Sequence, residues 1–224
     1  MREIVLDTET TGLDPVSGDR IVEIGCIELI NHLPTGENYH QYVNPERDVP
    51  AESFRIHGLS EAFLGDFPIF ASIADQFLDF IGDDKIVAHN ASFDMKFVNA
   101  ELARLGFAPI PMSRAVDTVQ IARSRFPGAG ASLDDLCRRF GVDNTSRTLH
   151  GALLDADLLA AVYIDLIGAR EPGLDLTARS VGSETVTQRG EKTFRPPRPH
   201  AVSVAEGEAH EAFLGKITDP LWKA

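Results

Sequence analysis

Cysteine is scarce in this chain of 224 residues, with Cys26 and Cys137 the two examples. Two thiols without a C-x-x-C spacing exclude a disulfide framework and a zinc ribbon, and both sit in apolar-periodic segments, so they read as buried thiols. Long hydrophobic runs are also missing. No segment approaches the roughly 20 residues of a membrane-spanning helix and no secretory leader is visible, so a cytoplasmic protein with no membrane partner is expected. The absence of a Walker loop and of G-x-G-x-x-G removes the common phosphate-binding loops. Basic residues are in deficit: 21 Lys and Arg stand against 34 Asp and Glu, a formal net charge of −13. Residues 1–170 carry 14 against 26, whereas 171–224 carry 7 against 8. Affinity for nucleic acid is normally supplied by Lys and Arg at phosphates, so such a domain binds a polyanion poorly by charge alone. If nucleic acid is the substrate, metal ions and tethering must supply the affinity.

What is abundant is acid in particular places. Asp7-Thr8-Glu9 ends the apolar run Ile4-Val5-Leu6. Side chains on a strand alternate, so Asp7 and Glu9 share a face and Thr8 takes the other. Two like charges in one small space are unfavourable unless a cation binds, and hard divalent ions suit clustered carboxylates. A D-x-E by itself is common, and a solvated acidic turn would ordinarily be the better reading. Here His89-Asn90-Ala91-Ser92-Phe93-Asp94 and His150-Gly151-Ala152-Leu153-Leu154-Asp155 add further acids at element boundaries. By contrast Asp14, Asp19, Asp134 and Asp135 read as turn and first-turn acids, and Asp157 as surface. His89 is balanced between substrate contact and a structural role.

The chain is long enough for one full core with residues left over. Strands are expected at 3–7, 21–30 and 39–43, joined as an antiparallel meander, with further strands at 85–89 and 115–117. Helical spacing marks 69–81, 93–105, 119–126 and 153–167, and Ser132 caps another helix that ends at Gly141. Strands followed by alternating helix and strand indicate an α/β layer fold with a mixed sheet. Pro172, Gly173, Gly182, Gly190 and the run Arg195-Pro196-Pro197-Arg198-Pro199 break any period. The division expected is a domain at 1–170, a flexible linker at 171–204 and a C-terminal segment at 205–224, in which helical spacing returns.

His150 and Asp155 cannot share a helical face, because five residues leave them about 140° apart. His150 therefore belongs to the loop entering the last helix and Asp155 to the helix. Phosphodiester hydrolysis with two metal ions roughly 3.5–4 Å apart needs carboxylates to hold the ions and a base for the attacking water. Histidine suits the base role because it titrates near working pH.

The ordered triple Asp7-Thr8-Glu9, Asn90 through Phe93-Asp94, and His150 with Asp155 resembles the exonuclease motifs of the DEDD superfamily, His subtype. The resemblance covers about 1–168. It implies an RNase H-like fold with a five-stranded mixed sheet flanked by helices, and 3′-to-5′ exonuclease activity releasing 5′-monophosphates. It further implies that Asp7, Glu9, Asp94 and Asp155 hold two divalent cations, Mg²⁺ or Mn²⁺, with His150 as general base. Thr8, Thr10, Gly12, Leu13, His57, Asn90 and Phe93 match positions that receive the terminal nucleotide. Residues 4–12 and 147–156 are further similar to the epsilon proofreading subunits of bacterial DNA polymerase III. That likeness implies a single-stranded or frayed DNA 3′ end as substrate. It also implies docking on the polymerase III alpha subunit through Phe213, Leu214, Leu221 and Trp222. Residues 171–176 faintly resemble a sliding-clamp peptide, with Leu174 and Leu176 as anchors and Glu171 where glutamine is usual. The rival readings are an RNA-trimming exonuclease of the same superfamily and a non-catalytic stabiliser of a polymerase complex.

Overall fold

Alternation along β1 (Arg2–Thr10) organises the molecule: Ile4 and Leu6 enter one apolar layer, Val5 the other, and all three are fully buried. A strand buried on both faces belongs in the middle of a sheet covered on both sides. The computed structural model describes residues 1–145, 147, 149–169 and 202–218. In it, β1 pairs antiparallel with β2 (Ile21–Ile30), and β2 pairs antiparallel with β3 (Leu33–Tyr42). On its other side β1 runs parallel to β4 (Lys85–Ala88), which runs parallel to β5 (Ala115–Asp117). The order β3-β2-β1-β4-β5 is the five-stranded mixed sheet expected.

β3 starts at Leu33, six residues earlier than its apolar content suggests. Asn31 and His32 form a two-residue loop with φ of 51° and 67°, between the paired Ile30 and Leu33. Positive φ at both loop positions matches the twist of a tight hairpin, and asparagine tolerates it well. Pro34 and Gly36 are acceptable because β3 is an edge strand. Two short helices, α1 (Ala51–His57) and α2 (Glu61–Leu64), escape periodicity altogether.

One face of the sheet is covered by α3 (Phe70–Ile81) and α4 (Ala91–Arg104). Phe70, Phe77 and Phe97 are buried there, each stabilising the layer by roughly 1.5–3 kcal/mol. The opposite face is covered by α5 (Thr118–Arg125), α6 (Leu133–Phe140) and α7 (Ala152–Leu166). There Leu136, Leu159, Val162 and Leu166 pack on Val5 and Val87. The Ser132–Asp135 capping box starts α6 and Gly141, at φ 69°, ends it.

Chain contacts separate Met1–Asp175 from Leu176–Ala224. In the second unit α8 (Val204–Leu214) opens with a Ser203–Glu206 capping box. Phe213 is exposed and Leu214 is buried. Most of the linker, with Leu174, Leu176, Leu221 and Trp222, lies outside the described residues. Among the described residues no helix is long and apolar enough to cross a membrane.

Candidate active site

The acids converge at the carboxyl ends of the parallel strands β1 and β4, where α/β sheets ordinarily place ligand sites. Asp7 and Glu9 project on the Val5 side, toward α7, whose first turn carries Asp155. Gly25 is the strand partner of Asp7, and a Cβ on it would stand 2.3 Å from the Ala152 carbonyl carbon. The first turn of α7 therefore rests on bare β2 backbone, which is how Asp155 reaches Asp7. Asp94 arrives from the other layer, in the first turn of α4. That helix can start so soon after β4 because Asn90 takes a left-handed conformation, φ 67°. Thr8, facing this layer, donates its hydroxyl to Asp94 Oδ1 at 2.8 Å.

Together these residues line a cavity of about 200 Å³ with His89, Asn90, Phe93, Leu133, Arg147 and His150. Burial, then the charges of Asp94, Glu9 and Asp155, push the Asp7 carboxyl well above its usual range. Burial raises Glu9 to about 8, opposed by His150. Burial also raises Asp94 to about 7, opposed by the Thr8 hydrogen bond. Asp155 behaves differently: burial raises it, but hydrogen bonds from His150 and Arg147 outweigh this and leave it low. Clustered carboxylates that resist ionisation are a site asking for positive charge.

His150 lies on the loop before α7, half exposed, with Nδ1 3.2 Å from Asp155 Oδ2. That hydrogen bond raises its pKa, while burial and the Arg147 guanidinium oppose the shift. Its backbone N–H donates to the Ile56 carbonyl at 3.0 Å, tying the loop to α1. Arg147 was not singled out from sequence. It forks onto Asp155, with Nε to Oδ1 at 2.6 Å and Nη2 to Oδ2 at 2.7 Å, and reaches Asp134 Oδ1 through Nη1 at 2.8 Å. Asp134, read as a first-turn acid, is also part of this network.

Glu9, His150 and Asp155 present ligand atoms that all lie within 4.8 Å of one another. With Asp7 and Asp94 in the same cavity, the donors are mostly hard oxygens. They fit a hard divalent cation.

A second cavity of about 300 Å³ adjoins the first through the shared residues Thr8, Glu9 and Phe93. It is lined also by Thr10, Gly12, Leu13, Ser53, Ile56 and His57. Thr10 donates its hydroxyl to the Gly12 carbonyl at 2.6 Å, and Ser53 donates to the Thr11 carbonyl at 2.9 Å, so the loop's shape is held from both sides. Leu13 stands 80% exposed at the rim. His57 Nδ1 accepts from the Leu59 N–H at 3.0 Å, which leaves the proton on Nε2. That nitrogen is buried without a hydrogen-bond partner of normal geometry. All seven candidate nucleotide-contacting residues thus line one or other of the two cavities. His89 does line the first, but its Nδ1 is engaged with the Thr118 hydroxyl at 2.9 Å. Asp157 is exposed, as expected.

The RNase T exonuclease family model matches residues 4–163. A protein of Rickettsia felis named DNA polymerase III subunit epsilon is 50% identical over 222 residues, covering 97% of each chain. The protein of that name from Escherichia coli is 44% identical, covering 100% of this chain and 98% of its own. Among solved structures, exonuclease X in complex with 5′ overhanging duplex DNA superposes with a TM-score of 0.61 at 27% identity. It covers 75% of this chain and 92% of that one. The nuclease domain of 3′hExo, a DEDDh family member bound to rAMP, has a TM-score of 0.65 at 17% identity, with the same coverage, and shares the fold.

Proposed function

The chain belongs to the RNase T exonuclease family, and from that premise we propose that it removes mispaired 3′-terminal nucleotides as the proofreading subunit of DNA polymerase III. It is a metal-dependent 3′-to-5′ exonuclease that releases nucleoside 5′-monophosphates. The observation that carries this reading is the convergence of Asp7, Glu9, Asp94, Asp155 and His150 on one cavity, next to a second cavity of nucleotide size.

In this reading Asp7, Glu9, Asp94 and Asp155 would hold two divalent cations, Mg²⁺ or Mn²⁺. When bound, the ions supply the charge that activates the attacking water and stabilises the leaving 3′ oxygen. His150, at the exposed side of the cavity, takes the proton from the water. The terminal nucleotide enters the second cavity. There Phe93 offers a ring face, Leu13 a wedge, the Thr10–Gly12 backbone polar contacts, and His57 an imidazole edge. Asn90 reaches the scissile end from the rim of the first cavity. This site receives a nucleotide only after it has left the duplex, and mispaired ends leave it at least cost.

A domain of such negative charge holds DNA weakly by itself. Residues 205–224, with Phe213, Leu214, Leu221 and Trp222, would bind the polymerase alpha subunit. Leu174 and Leu176 in 171–176 would engage the sliding clamp. The linker at 171–204 then converts encounter with the primer end into a local event at high effective concentration. Removing 205–224 should leave hydrolysis of free single strands unchanged and abolish co-elution with the polymerase. Retained co-elution would contradict the docking assignment, and lost hydrolysis would contradict the domain division.

A further inference from the structure

Arg147 points to a control on this site that its acids alone do not provide. Its side chain is 10% exposed, and the guanidinium takes both oxygens of Asp155, the carboxylate that completes the Glu9–His150–Asp155 cluster. A third arm holds Asp134, on α6. Resting on the metal site proposed above, we infer that Arg147 competes with the divalent cation for Asp155.

The case rests on charge and geometry. A divalent ion drawn to Glu9 and Asp155 meets a permanent positive charge already seated on Asp155, in a cavity that is partly shielded from water. Like charges at such range repel strongly in low dielectric. The bidentate pair is also the tightest form of arginine–carboxylate contact, so it is a serious competitor and not a loose surface pair. The Asp134 arm means that a displaced guanidinium has somewhere to stay. It can release Asp155 without leaving the rim.

The direct test is calorimetric titration of the full chain with Mn²⁺ alone, in the wild type, Arg147→Gln, Arg147→Lys and Asp7→Ala. Arg147→Gln should bind Mn²⁺ about tenfold more tightly or better, and Arg147→Lys, which keeps the charge without the fork, should fall between it and the wild type. Unchanged or weaker binding in Arg147→Gln would overturn the inference, since Arg147 would then be a support that orients Asp155 beside the ion. If Asp7→Ala bound Mn²⁺ as well as the wild type, the metal-site reading itself would fail, and the competition with it.

Discussion

Asp7 and Gly25 are partners across β1 and β2, and the first turn of α7 lies on the glycine. The pairing joins two functions in one register position: the strand residue that presents a carboxylate and the gap that lets a second carboxylate approach from the helix above. The site depends on that missing side chain as much as on the acids.

Gly25→Ala should therefore injure both fold and site. The added Cβ meets Ala152 and Leu153 backbone, which cannot rotate away. Overpacking of this kind costs about 1–3 kcal/mol, and a 1 Å displacement of a catalytic group can cost about 10²-fold in rate. Thermal unfolding and single-turnover hydrolysis measure the two effects. A variant with native melting and native rate would show that α7 is not held at this contact.

Raised carboxyl groups make stability depend on pH. Glu9 and Asp94 have folded pKa values of about 8 and about 7, above the ordinary 4.5 and 3.8. Over the interval between each pair of values the folded state holds more protons than the unfolded chain, so stability falls as pH rises. In chelator, melting temperature should decline from about pH 4 to pH 8, and Mn²⁺ should flatten that decline. A chelated protein that gains stability across the same range would contradict burial as the cause of the raised values.

Asp7→Asn follows from the same electrostatics. It removes the carboxyl that is buried among the charges of Asp94, Glu9 and Asp155 while keeping the shape. Hydrolysis should be abolished, yet the chelated variant should melt at a higher temperature than the wild type, as expected where a functional site is held against its own repulsion. A lower melting temperature would mean that the Asp7 carboxylate stabilises the fold.

His150→Ala should lower the single-turnover rate by about 10²–10⁴-fold if His150 is the base. Binding of a single-stranded oligonucleotide should change little, because the ring sits at the cavity's exposed side. A rate within error of the wild type would remove His150 from the chemistry.

Much of this was legible before the structure, for identifiable reasons. Ile4-Val5-Leu6 with Asp7 and Glu9 declares both strand and face, because period two is unambiguous on a short buried strand. α4 and α7 announce themselves by length, and Ser132 and Gly141 bound α6 by cap chemistry. β3 was half lost because an edge strand is under little pressure to alternate. Its residues are mostly exposed, and the hairpin signal was an Asn-His pair without the usual glycine. α1 and α2, at seven and four residues, are too short for a 3.6-residue period to show. Arg147 was missed for a different reason. Its role comes from reaching Asp155 and Asp134 at once, and no pattern of spacing encodes where a long side chain will fold back.

The central claim is a metal-dependent exonuclease that shortens DNA from its 3′ end, and product analysis of 5′-labelled oligonucleotides tests it most directly. Single-stranded DNA and RNA of matched sequence would be incubated with the full chain and with Asp7→Ala, in Mg²⁺ and in chelator. The account predicts a stepwise ladder from the DNA alone, in Mg²⁺ alone and with the wild type alone. A ladder that persists in chelator or in Asp7→Ala, or one formed preferentially from RNA, would contradict it.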